Sequence, residues 1–204
     1  MSLKVEILEN LSSISKEDWN KLGASPYPFL KHEFLSALEK NNCLGSKWGW
    51  IPRHIVIFDS NKKLIAATPL YLKYNSYGEF VFDWSWAEAY ERNGLIYYPK
   101  LVSASPYTPA TAPKLLINKN CTNCKQLLID AAKKIALENN CSSIHWLFTT
   151  DDQMSDFSEK GFMRRTGCQF HWNNNNYKNF DDFLSTFSSS KRKQINRERR
   201  RVKE

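Results

Sequence analysis

Four carboxylates lie inside an unusually aromatic stretch of the sequence, and they are the side chains best suited to do chemistry. Glu79, Asp83, Glu88 and Glu91 fall between Tyr71 and Tyr107, where eleven of the chain's 28 aromatic residues occupy 37 positions. Rings that exclude water disfavour a carboxylate's charged form, so its pKa rises toward the range in which it takes a proton from an ammonium group. Glu88 and Asp83 are the leading candidates for such a base, with Tyr90 or Tyr98 as proton donor to a leaving group. Glu79 and Asp83 could instead hold an amine by charge, while Arg53, Lys73, Arg92 and Lys100 could hold phosphate or carboxylate. The competing expectation is structural: acids of this kind are solvated or pair with Arg92 and Lys100, and rings pack as core.

Other reactive side chains are sparse. Cys121 and Cys124 have CxxC spacing at an expected helix start, where a thiolate is stabilised. No second CxxC or nearby histidine completes a zinc set, and His32, His54, His145 and His171 show no ligand spacing, so no metal is assigned. The five cysteines form no regular framework, which suits a reducing compartment. The segment MSLKVEILEN carries charges where a signal peptide needs an apolar run, and no stretch approaches a membrane span. The expectation is a cytoplasmic protein without an integral membrane segment.

Positioning these residues calls for a mixed α/β body. Alternation predicts a strand over Leu3–Leu8, and Ser15 can cap a helix over Lys16–Leu22, followed by a second helix over Lys31–Lys40. Ile55–Phe58 and Leu64–Tyr71 read as a hairpin across Asp59-Ser60-Asn61, with Pro69 forcing an edge position or a bulge. Leu101 to Pro113 carries no charge and three prolines, and reads as a loop beyond its first few residues. Leu128, Ala131, Ala132, Ile135 and Ala136 form the apolar stripe of a helix over Thr122–Asn139. Ile144–Phe148 reads as a buried central strand, and Thr150 with Gln153 as the capping box of a helix that Gly161 stops. A strand over Cys168–Tyr177 and a helix near Phe180–Phe187 complete the body.

The chain has 204 residues, 42% of them apolar, and a net charge of +8. Most of that charge comes from Lys191–Glu204, which holds eight Lys or Arg against two Glu, so any claim on an anionic partner is confined to this segment. Arg192, Lys193, Arg197 and Arg200 are the candidate contacts to nucleic-acid phosphates or anionic lipid head groups; the alternative is a solvated linker helix. The expected organisation is a body over 1–178 and a helical basic arm over 179–204. That arm reaches Glu204 without a stop signal, so it reads as continuing toward a further domain.

Two long stretches, Tyr77 to Arg92 and Tyr97 to Leu101, together with Pro106-Tyr107-Thr108-Pro109, resemble the bacterial FemAB-like family of peptidoglycan biosynthesis or recognition proteins. Gly161 to Gly167, Gln169 to Trp172 and Ser189 to Arg201 extend the likeness over nearly the whole chain. The resemblance implies an α/β fold like that of the acyl-CoA N-acyltransferases (GNAT), with a mixed sheet, and a second such domain after the basic helix. It implies an N-acyl or aminoacyl transfer to an amine, with a peptidoglycan precursor as one candidate acceptor and acyl-CoA or aminoacyl-tRNA as donor substrate; no tightly bound cofactor is implied. A non-catalytic domain recognising a cell-wall precursor is the alternative. Within the matched stretches, Glu88, Asp83 and Tyr98 are the candidate catalytic residues, and Glu79, Trp84, Trp86, Arg92, Lys100, Tyr107 and Thr108 the candidate substrate-binding residues. One departure stands out: the superfamily cradles its donor pyrophosphate on a glycine-rich turn opening the central helix, and Thr108–Asn123 contains no glycine.

Overall fold

The hairpin at Asp59 sets the sheet. In the computed structural model, which describes residues 3–118 and 121–203, β3 (His54–Phe58) turns into β4 (Leu64–Thr68). The Asp59 carboxylate accepts from the backbone N–H groups of Asn61 and Lys63, both at 2.9 Å, an Asx turn that satisfies two loop donors. β1 (Lys4–Leu8) pairs antiparallel with β3 on the other side, with Val5 opposite Ile57.

Both hairpin strands are broken at the same level. β2 (Trp50–Pro52) precedes β3 across Arg53, and β5 (Tyr71–Lys73) follows β4 across Pro69 and Leu70. Pro69 was expected at an edge or bulge; instead β4 is an interior strand, and the missing Pro69 N–H falls in a gap between two strands. The gap is bridged by Arg53 N donating to Leu70 O at 2.8 Å and Leu70 N donating to His54 Nδ1 at 3.2 Å. A third strand repeats the pattern: β6 (Lys100–Ser103) pairs with β5, β7 (Leu116–Ile117) pairs with β4, and the proline-bearing loop 104–115 separates them. The result is two four-stranded sheets, ordered β1-β3-β4-β7 and β2-β5-β6-β8.

Helices cover both faces. Ile55, Ile57, Ala66, Leu72 and Leu101 pack against Leu128, Ile129, Ala132 and Ile135 of α4 (Cys124–Glu138), which is why that helix needs its apolar stripe. Val56, Leu64 and Ala67 face the other way, toward Trp19 and Leu22 and toward Leu35 of α2 (His32–Lys40). Trp19 closes α1 (Lys16–Trp19), whose N-cap Ser15 accepts from Asp18 N, and its indole donates to Leu30 O at 2.9 Å.

Several sequence expectations are corrected. α3 (Trp84–Arg92) was not anticipated; none of its nine residues is buried. β8 (Ile144–Trp146) is half-buried and pairs only with β6, in parallel, so among the described residues it lies at a sheet edge rather than in the centre. The strand expected over Cys168–Tyr177 does not form: Cys168 to Asn176 are all exposed and bury no face that would reward pairing. The capping box of α5 (Asp151–Ser158) does not form either, since the Gln153 amide reaches to Lys114 N at 2.7 Å and Leu115 O at 2.8 Å instead. Gly161 does stop that helix, with φ +83° and Phe162 N donating to Phe157 O.

The chain divides into a compact unit that ends at Arg165 and a second that begins at Thr166. That unit holds α6 (Phe180–Ser185) and α7 (Ser189–Lys203). Asn179 caps α6 by accepting from Asp182 N at 2.9 Å.

Candidate functional site

Strand register places two lysines side by side in the interior. Lys73 on β5 is directly opposite Lys100 on β6, and the same parity puts Trp50, Tyr71, Val102 and His145 on that face of the sheet. Two ammonium groups so placed repel each other unless acids intervene. Glu79, from the loop after β5, and Asp83, at the start of α3, supply them. Lys100 Nζ donates to Glu79 Oε2 at 2.7 Å, to Asp83 Oδ2 at 2.5 Å and to Ser76 Oγ at 3.0 Å. Lys73 Nζ lies 3.9 Å from Glu79 Oε1, donates to Tyr77 O at 3.1 Å and sits 3.8 Å above the Trp50 ring. Tyr97 donates its hydroxyl to Asp83 Oδ2 at 2.6 Å, and Tyr98 pairs with Ser76 Oγ at 2.7 Å. No member of the charged quartet is more than 3% exposed.

Burial and pairing pull the four groups in different directions. Burial pushes Asp83 up, but hydrogen bonds from Lys100, Ser76 and Tyr97 outweigh it and hold its pKa at about 2. Glu79 goes the other way, because desolvation exceeds the attraction of Lys100 and Lys73. Desolvation lowers Lys73 to about 7, against the pull of Glu79. The rise expected for a carboxylate among rings therefore occurs at Glu79 and is reversed at Asp83, where a third donor turns the balance. Glu79 Oε1 and Asp83 Oδ1 are buried without a hydrogen-bond partner.

His145 borders this quartet from β8. It is only partly buried, and its Nε2 lies 2.8 Å from Ser143 Oγ. Desolvation, with the nearby Lys100 charge, lowers its pKa to about 4, so it is a neutral imidazole at physiological pH. Nearby, Arg165 stacks over the Trp86 ring at 5.6 Å.

Above the quartet, Tyr74, Tyr77, Phe80, Phe82, Trp84 and Trp86 are all exposed by 46% or more. The loop carrying them is locked from below. Gly78 has φ +78°, and a Cβ there would lie 2.5 Å from the Tyr107 ring; its carbonyl accepts from Tyr107 N at 3.2 Å. Phe80 and Phe82 also have positive φ, a conformation costly for bulky side chains.

Of the residues singled out from sequence, Glu79, Asp83, Tyr98 and Lys100 come together in the interior. Glu88 and Arg92 pair with each other at 3.2 Å on the exposed face of α3. Trp84 and Trp86 belong to the exposed rim, Tyr107 donates to Cys43 O at 2.7 Å, and Thr108 donates to Pro106 O at 3.1 Å. In the second unit, half-buried Arg192 donates to Ser185 O and Phe187 O, while Lys193, Arg197 and Arg200 are exposed. Sequence reasoning missed Ser76, Tyr97, His145 and the pairing role of Lys73. The available signal was parity: Lys100 and Val102 alternate with Leu101, and a histidine interrupts an apolar run at 145.

Two further features lie outside the quartet, one of them at the divergence of β6 and β8. Leu147 N donates to Ser103 O at 3.0 Å, after which the strands separate and Ala112 N donates to Phe148 O at 3.0 Å. Lys114 is fully buried there, its ammonium donating to Ala112 O at 2.7 Å and Phe148 O at 3.1 Å; desolvation lowers its pKa to about 7. At the start of α4, Cys121 and Cys124 are joined in a disulfide, a pairing the sequence reading did not anticipate; Cys43, Cys141 and Cys168 are free.

The architecture is that of the GNAT acetyltransferases. A Pyrococcus furiosus protein assigned as an acetyl transferase superposes with TM-score 0.53 at 10% identity, covering 83% of this chain and 99% of its own. An aminoglycoside acetyltransferase, AAC(6')-Iy in complex with a CoA bisubstrate analogue, superposes with TM-score 0.52 at 11% identity, covering 85% and 99%. Among curated proteins none matches the sequence. The sequence itself, over residues 10–204, matches the model of the FemAB-like family described by peptidoglycan biosynthesis/recognition, and the chain belongs to that family.

Proposed function

We propose that this chain is an N-acyltransferase that passes an acyl or aminoacyl group from an activated ester or thioester to an amine, with a peptidoglycan precursor as acceptor. The observation that carries the reading is His145: a neutral, partly exposed imidazole beside a buried Lys/carboxylate quartet, on a parallel strand pair that diverges two residues later. Family membership and fold support the reaction class.

The chemistry requires an uncharged amine. The acceptor enters as the free amine and its lone pair attacks the acyl carbonyl; the nitrogen, made acidic by the new C–N bond, gives its proton to His145, and as the tetrahedral intermediate collapses and the C–S or C–O bond breaks, the imidazolium returns that proton to the thiol or hydroxyl leaving group. Glu79, Asp83 and Lys100 are closed to solvent, so they act by holding the aromatic loop and α3 over the sheet. The exposed rings from Tyr74 to Trp86 form the surface on which an acceptor's apolar and sugar faces would rest. Donor substrates are acyl-CoA or an aminoacyl ester such as aminoacyl-tRNA. CoA phosphates would meet a turn into α4 that lacks glycine and carries the Cys121–Cys124 disulfide.

The missing glycine favours a second reading, a domain that recognises a cell-wall precursor without turnover. Mass spectrometry of amine acceptors incubated with acyl-CoA or aminoacyl-tRNA separates the two. Acylated product lost on His145→Ala supports the transferase; precursor-induced thermal stabilisation with no product supports recognition alone.

A further inference from the structure

The second unit carries two features that the transfer reaction does not use: an unneutralised cationic helix and a set of exposed apolar side chains beside it. α7 holds eight Lys or Arg against one Glu, and among the described side chains, Lys191 to Arg201, none of these cations forms an ion pair. Lys193, Arg197 and Arg200 recur at i, i+4 and i+7 and so share one exposed stripe. Arg192, on a different face, donates to the carbonyls of Ser185 and Phe187, and Arg199 stacks 3.8 Å over the Phe180 ring, so α7 lies along α6.

Phe180 also lines an open cavity of about 460 Å³ with Trp172, Tyr177, Phe183, Asn174 and Asn179. Trp172 and Tyr177 both pack against Phe183, at 5.8 and 5.4 Å, so the cluster is continuous with the helix pair that bears the charge. Trp172 is 67% exposed and Phe170 95%. Large apolar groups held in water beside unpaired cations lose free energy unless a partner covers both.

We infer that the second unit is a docking surface for an anionic lipid bilayer. Lys193, Arg197 and Arg200 meet acidic head groups, and Phe170, Trp172 and Phe180 enter the interfacial zone where aromatic rings are favoured. Single-stranded RNA would also attract the cations and stack on the rings, and it is the alternative outcome of the test below. One cationic patch or one apolar patch alone gives only weak association, and the two together give stable peripheral binding. The inference is independent of whether the chain transfers acyl groups.

The test is co-sedimentation of the full chain with vesicles of phosphatidylcholine, with and without about one third phosphatidylglycerol, at low and high salt. Binding should require the anionic lipid and fall at least about tenfold on raising NaCl from 0.1 to 0.5 M. Each of Lys193→Glu, Arg197→Glu and Arg200→Glu should weaken it about fivefold or more. Phe170→Ser removes a side chain that is 95% exposed, so it leaves the fold intact while weakening binding severalfold. Equal binding to neutral vesicles, insensitivity to these changes, or binding of an oligoribonucleotide with none to the anionic vesicles would each overturn the proposal.

Discussion

Lys100→Met removes the one cation that touches both buried carboxylates. In the native protein Lys100 Nζ donates to Asp83, Glu79 and Ser76, and all three partners are at least 95% buried. Without it, Asp83 keeps the Tyr97 hydroxyl and Glu79 keeps Lys73 at 3.9 Å, which leaves uncompensated negative charge in the interior. Breaking a buried pair from one side costs about 3–5 kcal/mol. At about 2–4 °C per kcal/mol for a domain of this size, the melting temperature should fall by roughly 6–20 °C. Urea titration followed by circular dichroism gives the free energy directly, and Lys100→Met/Asp83→Asn should recover part of the loss because it removes one stranded charge. The acid limb provides a second readout. Asp83 is held at about 2 against 3.8 unperturbed, so its contribution, about 2 kcal/mol, is present above pH 3.8 and lost as pH falls toward 2. In Lys100→Met that loss should begin at higher pH. A destabilisation below about 1 kcal/mol with no recovery in the double variant would refute the buried quartet.

Lys114 makes the opposite prediction for alkaline pH. Its folded pKa is about 7 against 10.5 unperturbed, so the native state releases its proton first and stability rises between these values; Lys73, also at about 7, adds to the slope. Urea midpoints of Lys114→Met should therefore rise less between pH 7 and 10 than those of the wild type, and an unchanged slope would count against a desolvated lysine. Gly78→Ala should destabilise by about 2 kcal/mol or more, since alanine at φ +78° is strained and its Cβ meets Tyr107; a variant melting with the wild type would show that the loop relaxes freely.

How much of this was legible in the sequence differs element by element. The hairpin around Asp59, the Ser15 cap, the stripe of α4 and the stop at Gly161 are local patterns, and each formed as its residues dictate. α3 was hidden because only Ala87 and Tyr90 of its residues are even half-buried, too few apolar positions to stand out as a stripe. The Gln153 side chain was misread because a capping box and a long-range bridge to Lys114 use the same amide, and only the tertiary structure decides between them. Site residues followed the same division. Glu79, Asp83 and Lys100 were marked by unusual surroundings, whereas Lys73 and His145 acquire their roles only from cross-strand register, which pairs them with partners 27 and 43 positions away.

The most direct measurement is the pH dependence of acyl transfer to an amine acceptor by the full chain and by His145→Gln. With His145 as the base, kcat/KM of the wild type should fall on the acid side with an apparent pKa of about 4, after allowing for the acceptor's own ionisation. His145→Gln should lose about a hundredfold or more in kcat with its melting temperature within a few degrees of the wild type. Full activity in His145→Gln, or a wild-type acid limb set elsewhere, would contradict a base at this position.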